Sequence, residues 1–344
     1  MPPREARRIV FSALRQAAWE RVPLPAHLGP TEVLVRAACT LVSAGTEIAI
    51  YSGSHIGYTI PDATYPRLPM NPGYAFAGTV ETVGEAVTSL QPGDRVSGGM
   101  PHADWAVVDV SRGGLLPLPE TVSFEQACLA RVAVFSLQGI RLARLQLGEQ
   151  VAVFGQGLIG QFARQFAAID GAASTLAIDL LDARLAIAAR HGATHLVNPS
   201  REDVRSAIAA ATEGRGVDVA IEATGNPAVI NDALKAAAML GRVILLGSPR
   251  GRVEIDAYTD IHRKGVALIG AHGRTASVPS NPYYRWTSAE HHRLAVEFIR
   301  QGRLRTDALV THRVPADDAL AVFEALTLRP QDFLGVVIHW HEME

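Results

Sequence analysis

Cysteine and lysine are almost missing from this sequence. Among 344 residues only Cys39 and Cys128 carry a thiol. Two thiols cannot build a disulfide framework or a four-thiolate zinc knuckle. They read as buried small hydrophobes in a protein kept reduced. Of 32 basic side chains only Lys235 and Lys264 are lysines, which leaves a Schiff-base mechanism few candidates. An excess of one charge is lacking as well, since 32 Lys and Arg face 34 Asp and Glu without a long run of either. That balance argues against a nucleic-acid partner and against an acidic tail. No uninterrupted apolar stretch of roughly 18 residues occurs, so no membrane span is expected. Residues 1–8 are charged and no apolar leader core follows them, so a cytoplasmic location is expected. Repeats and low-complexity segments are also missing.

What is present points to two packed domains. The chain is 48% hydrophobic, and its length suits about two cores of ordinary size. Up to about residue 130, short Val-rich runs bounded by Gly and Pro recur at 32–38, 77–83 and 105–110, a pattern for a small β domain. From residue 123 onward the pattern changes. Helical stretches at 124–142 and 158–169 alternate with apolar strands at 150–154, 175–178, 217–221, 242–246 and 266–269. Such alternation predicts βαβ units around a doubly wound parallel sheet. A last apolar run, 334–338, is expected to return to the first domain as a strand.

The sharpest motif is Gly155-Gln156-Gly157-Leu158-Ile159-Gly160, directly after one strand and opening a helix. The next strand ends in Asp179, 19 residues past Gly160. This is the fingerprint of a dinucleotide site. Gly155 permits the turn, Gly157 lets backbone approach a pyrophosphate, and Gly160 allows close helix–strand packing. Free N–H groups at the helix start favour phosphates. Asp179 suits the ribose diol of NAD and opposes the 2′-phosphate of NADP, although Arg184 leaves some tolerance for NADP.

With that motif the chain resembles the medium-chain dehydrogenase/reductase superfamily, the alcohol dehydrogenase-like proteins, over nearly its whole length. The resemblance rests on Gly45-Thr46-Glu47, Pro72-Gly73-Tyr74-Ala75-Phe76-Ala77-Gly78 and Gly93-Asp94-Arg95-Val96 in the first part. In the second it rests on the glycine motif, Glu222-Ala223-Thr224-Gly225 and Gly241-Arg242-Val243 with Gly247. It implies a GroES-like β-barrel catalytic domain (residues 1–134 and 284–344), a Rossmann domain (135–283) and a substrate cleft between them. It also implies a homodimer or homotetramer, and roles for Ala223, Thr224 and Gly247 beside the cofactor.

Zinc members of the superfamily hold the catalytic metal with a cysteine before a Gly-Thr-Asp-like segment, with a Gly-His-Glu segment, and with a ligand near the linking helix. The matching positions here are Ala44, Tyr74 with Ala75, and Arg131. The cysteine-rich structural lobe is replaced by Gly98-Gly99-Met100-Pro101-His102. His291 and His292 are adjacent on a predicted helix and point apart, while His339 and His341 are expected in a frayed tail. A branch that has lost both zinc sites is the reading, with no metal ligand assigned. The segments around Ala44, Tyr51 and Tyr74 look closer to a branch that includes bacteriochlorophyllide hydroxyethyl dehydrogenase and similar sugar- or secondary-metabolite dehydrogenases than to the metal-free quinone and enoyl reductases.

Without zinc, hydrogen-bond donors must stabilise charge on a reacting oxygen. Arg131 is a candidate electrophile, or else a buried partner of Glu47. Tyr74 is a candidate proton donor, or else a core tyrosine. Thr46 matches the hydroxyl that begins the proton relay of the zinc enzymes, but Ala49 stands where the relay histidine is expected. His55 is the available substitute, or else a solvated loop residue. Two aromatic loops, with His55 and Tyr58 in one and Tyr283 and Trp286 in the other, suit a sugar, a cyclitol or a planar ring. The leading expectation is a zinc-independent NAD(H)-dependent oxidoreductase interconverting alcohol and ketone on such a molecule. The alternatives are a 1,4-reductase of an enone or quinone, and a non-catalytic NAD(H)-binding protein.

Overall fold

The structure, a computed structural model, describes residues 3–273 and 284–341. The chain divides into two units. Residues 1–131, 292–301 and 306–344 form the first, and 132–291 with 302–305 form the second.

In the first unit β1 (Glu5–Ala13) and β2 (Gln16–Pro23) make an antiparallel hairpin. The long strand β3 (Glu32–Val42) is rich in Val, Leu and Ala and is buried along most of its length. It leads to a short helix, α1 (Thr46–Ser52), and then to β4 (Phe76–Val83), β5 (Arg95–Gly98), β6 (Trp105–Asp109) and β7 (Leu115–Pro117). β4 pairs antiparallel with β3, β5 with β4, and β7 with β5. Register shifts after Leu34 and Ala37 interrupt the β3–β4 ladder. Such bulges bend a strand, so the two ends of β3 meet different partners. The end at Glu32–Arg36 pairs with β6.

The division between the units falls inside α2 (Phe124–Ala143). In the second unit β8 (Gln150–Phe154) runs into α3 (Leu158–Asp170), and β9 (Ser174–Ile178) into α4 (Asp182–Arg190). Then come β10 (His195–Val197), α5 (Val204–Ala211), β11 (Val217–Glu222), α6 (Pro227–Ala236), β12 (Ala237–Leu245) and β13 (Ala267–Gly270). All pairings are parallel in the order β10-β9-β8-β11-β12-β13. This is the doubly wound Rossmann order, in which β8 and β11 flank the switch point where ligands bind. Val151–Phe154 of β8 and Val219–Ile221 of β11 are buried, as expected of central strands covered on both faces, and these stretches are apolar without alternation.

The chain continues through α7 (Ser288–Arg300), β14 (Val310–Pro315), α8 (Ala319–Leu328) and β15 (Gly335–His339). β15 pairs antiparallel with the Cys39–Val42 end of β3 and parallel with β14, so the last apolar run does return to the first sheet. Phe11, Phe76, Phe323 and Ile338 are fully buried in the core this creates. Two sequence expectations are corrected here. His339 belongs to β15 and its Nε2 lies 2.9 Å from Glu125 Oε1, rather than in a frayed tail. Residues 284–291 belong to the second unit, where Tyr284 donates to Gln138 and Arg141 covers the Trp286 ring. Among the described residues no helix is long and apolar enough to cross a membrane.

Candidate active site

In the second unit, the glycine loop leaves β8 and opens α3. Gly155 has φ +89°, and a Cβ there would lie 2.8 Å from the Thr224 methyl. A Cβ on Gly160 would lie 1.8 Å from the Gly155 carbonyl oxygen, so only glycine brings α3 this close to the loop. Gly157 differs. It caps α3, and a Cβ there would meet nothing within 4 Å. Its open face, with the unpaired N–H groups of the first helical turn at Leu158 and Ile159, is the cradle a pyrophosphate needs.

Two carboxylates hold this loop. Asp179 Oδ2 accepts from the Gln156 N–H at 2.6 Å, and its Oδ1 accepts from Leu181 N–H at 2.8 Å. Each oxygen keeps a second lone pair for a ribose hydroxyl. The Arg184 guanidinium stands 3.9 Å from Asp179. The other carboxylate, Glu222 at the end of β11, is fully buried and was not singled out from sequence. It accepts from the backbone and hydroxyl of Thr224 and from Gly225 N–H, which folds the Ala223-Thr224-Gly225 turn against Gly155. Burial pushes its pKa up, and those hydrogen bonds oppose the shift. Gly247 is required beside it, since a Cβ would come within 2.9 Å of Glu222 Oε2.

In the first unit, Thr46, Glu47 and Arg131 each act on the Tyr74 phenol. Tyr74 Oη donates to Ser43 Oγ at the end of β3. Burial, then the charge of Glu47, pushes the Tyr74 phenol up to about 12, against the pull of Ser43, Thr46 and Arg131. It therefore stays protonated. Gly73 brings the segment in, since with φ +107° a Cβ there would lie 2.5 Å from the His102 backbone nitrogen.

The alternative reading of Arg131 as a buried partner of Glu47 is not what the structure shows. Glu47 Oε2 lies 2.8 Å from His102 Nε2, and His102 Nδ1 lies 2.8 Å from Thr40 Oγ1. Trp340 Nε1–H donates to the same Thr40 oxygen at 3.0 Å. An indole N–H can only donate and a carboxylate only accepts. The Nε2 of His102 must therefore carry a proton, and the Thr40 hydroxyl is turned toward Nδ1 when the ring is neutral. His102 was passed over because nothing in its local sequence marks a partner 55 positions away.

Arg131 has no hydrogen-bond or ion-pair partner among the described residues. Burial lowers its pKa, and the neighbouring Tyr74 opposes that. Near it, Ser97 Oγ meets His292 Nε2 at 3.1 Å, and burial, then Arg131, holds His292 down at about 3. Gly99 borders the guanidinium, since a Cβ there would lie 3.3 Å from Arg131 Nη2.

The proposed pocket residues are divided between the units, with His55 and Tyr58 in the first and Trp286 in the second. His55 accepts from Gly57 N–H as the cap of a short 3-10 turn and meets Tyr65 edge-on. Tyr58 donates to the Ile50 carbonyl at 3.3 Å. Trp286 lies in a second-unit surface cavity of about 450 Å³ with Arg141, Asp170 and Tyr284. That cavity adjoins the C-terminal end of α3, about 18 Å from the glycine loop at the helix start. Tyr283 lies outside the described residues.

A Rossmann sheet with this loop, joined to a bulged antiparallel unit that gathers polar groups, defines a nicotinamide-dependent dehydrogenase. Residues 29–115 match the family description "Alcohol dehydrogenase GroES-like domain" and 159–287 match "Zinc-binding dehydrogenase". An L-threonine 3-dehydrogenase of Caldanaerobacter subterraneus subsp. tengcongensis is 31% identical over 72% of this chain and 77% of its own. One from Symbiobacterium thermophilum is 30% identical over 90% and 91%. The crystal structure of 2R,3R-butanediol dehydrogenase from Bacillus subtilis is 25% identical with a TM-score of 0.82, covering 98% of this chain and 100% of that one. The chain belongs to the alcohol dehydrogenase-like medium-chain dehydrogenase/reductase family. It is an oxidoreductase of that family, whose cofactor is NAD or NADP.

Proposed function

We propose that the chain is a zinc-independent, NAD(H)-dependent dehydrogenase that interconverts alcohol and ketone on a polar or ring-bearing small molecule. The observation that carries this reading is the donor set of the first unit. At the positions matched to zinc ligands stand the methyls of Ala44 and Ala75, the Tyr74 phenol and the Arg131 guanidinium. A methyl has no lone pair, a phenol with a pKa of about 12 keeps its proton, and a guanidinium repels a cation. His102 and Glu47 are already bonded to each other, and no group of three His, Cys, Asp or Glu among the described residues is placed to hold a metal. This donor set does not fit zinc, so the chemistry is derived from the side chains.

When an alcohol is oxidised, its oxygen must lose a proton as the carbinol hydrogen leaves with its electron pair. Tyr74 takes that proton only as it passes its own along its hydrogen bond to Ser43 Oγ, and the partly exposed Ser43 hydroxyl releases its proton to water. Arg131 offers its N–H groups to the negative charge on the reacting oxygen. Bound NAD supplies the hydride acceptor. Gly157, the first turn at Leu158 and Ile159, and Asp179 are the residues that would hold it, and the Asp179 charge disfavours a 2′-phosphate.

Metal analysis and cofactor kinetics test this reading together. The expected result is zinc far below one per chain, turnover of secondary alcohols or cyclic polyols that chelators leave intact, and preference for NAD over NADP. Stoichiometric zinc whose removal abolishes turnover overturns it.

A further inference from the structure

We propose that Arg131 anchors a carboxylate next to the reacting carbon, so that the substrate is a hydroxy acid and the product an oxo acid. This inference rests on the alcohol–ketone reading above and narrows its substrate class.

A guanidinium that is largely withdrawn from water needs acceptors. Other sheltered arginines of this chain have them or have a ring. Arg164 donates to the His191 carbonyl, and Arg141 lies over Trp286 at 3.4 Å from the ring centroid. Arg131 has neither. The natural counter-ion would be Glu47, the only fully buried carboxylate of the first unit among the described residues, but the fold has given it to His102. What faces Arg131 instead is a phenol that keeps its proton, a neutral imidazole bonded to Ser97, and Gly99 with no side chain. None of these fills the parallel N–H groups of the guanidinium fork. Arg131 is also only partly buried, unlike the fully buried Arg164 with its orphaned Nε and Nη1. An accessible, unfilled fork is what recognises a carboxylate through two parallel hydrogen bonds.

The charge count favours a carboxylate over a phosphate. Among the described residues Tyr74 is the one charge partner resolved for Arg131, and no second Arg or Lys acts on it. His292 is neutral, and both lysines lie in the second unit. One guanidinium matches a monoanion. In a 2-hydroxy acid the carboxylate is one bond from the carbinol carbon, so one fork can hold it while Tyr74 reaches the hydroxyl. The balanced reaction is R–CH(OH)–COO⁻ + NAD⁺ giving R–CO–COO⁻ + NADH + H⁺. The C–H bond breaks with its electron pair going to the nicotinamide; the O–H proton goes to Tyr74 as Tyr74 passes its own to Ser43, whose hydroxyl proton is released to water as the H⁺ of the equation.

The test compares matched pairs with NAD⁺ and the full chain: glycerate against glycerol, and lactate against propane-1,2-diol. Oxamate binding to the NADH complex gives a readout independent of turnover. The acid of each pair is expected to be favoured in kcat/KM by roughly 30-fold or more, the scale of a sheltered charge pair. In Arg131→Gln that preference should collapse and oxamate affinity fall by a similar factor, with partial recovery in Arg131→Lys. Turnover of the neutral alcohols equal to the acids, or an acid preference surviving in Arg131→Gln, overturns the proposal. If nothing turns over but oxamate binds through Arg131, the anion anchor stands and the alcohol–ketone reading fails. If nothing turns over and oxamate does not bind, both fail.

Discussion

Tyr74 shows how one side chain's chemistry is set by its surroundings. Its phenol is raised by burial and by Glu47 to about 12, so it keeps its proton through neutral and mildly alkaline pH. Tyr74→Phe keeps the ring and removes the proton. Its kcat is expected to fall roughly 100-fold or more, as for loss of a general acid, with a smaller change in KM. Steady-state kinetics in both directions checks this, and an unchanged kcat removes Tyr74 from the chemistry. In the reductive direction no alkaline loss of rate from Tyr74 is expected below about pH 11. Thr46 and Glu47 belong to the same cluster but act differently. Thr46 touches the phenol as a hydrogen-bond partner, while Glu47 is turned into the protein toward His102.

At the scale of the strand–turn–helix unit, two glycines of one motif have different physical reasons. Gly160 is demanded by the fold, because any Cβ collides with the Gly155 carbonyl. Gly157 has φ −66°, which any residue adopts, and open space where its Cβ would go. Gly160→Ala should therefore lower the melting temperature, whereas Gly157→Ala should leave it nearly unchanged. Both should weaken NADH binding, Gly157→Ala by roughly 10-fold or more because the methyl occupies the pyrophosphate's approach. Thermal unfolding of the cofactor-free proteins and fluorescence titration with NADH separate the two effects. A destabilised Gly157→Ala variant, or one that binds NADH normally, would contradict the assignment.

For the molecule as a whole, two adjacent histidines tie stability to pH. His291 in the second unit is held down at about 4, by burial and then Arg141, with Glu290 opposing. His292 in the first unit is held down at about 3, by burial and then Arg131. An unfolded chain protonates both near 6.5, so between that pH and about 4 the unfolded state binds more protons. Stability is then present above 6.5 and falls as the pH is lowered, by about 1.4 kcal/mol per pH unit for each histidine. Denaturant unfolding at pH 7, 6 and 5 should show this decline, and His292→Gln should make it shallower. A stability curve flat from pH 7 to 5 would rule the linkage out.

The sequence by itself determined what neighbouring residues encode. The Gly155–Gly160 loop and the alternation of β8 to β13 with their helices are both local, and both were legible. The near absence of cysteine belonged to that reading. What it left unsaid is that Cys39 and Cys128 meet, buried, with their sulfurs 3.7 Å apart. Only the tertiary structure decided pairings that depend on strand register. The bulges of β3 and the pairing of β15 with its Cys39–Val42 end set Thr40 against Trp340 and His102, and His102 against Glu47. That chain of contacts removed Glu47 from Arg131. No spacing along the sequence reports it, because a hydrogen bond between residues far apart exists only once the sheet has brought them together. The Arg131 guanidinium was visible as a residue; that it has no counter-ion among the described residues is a property of the fold.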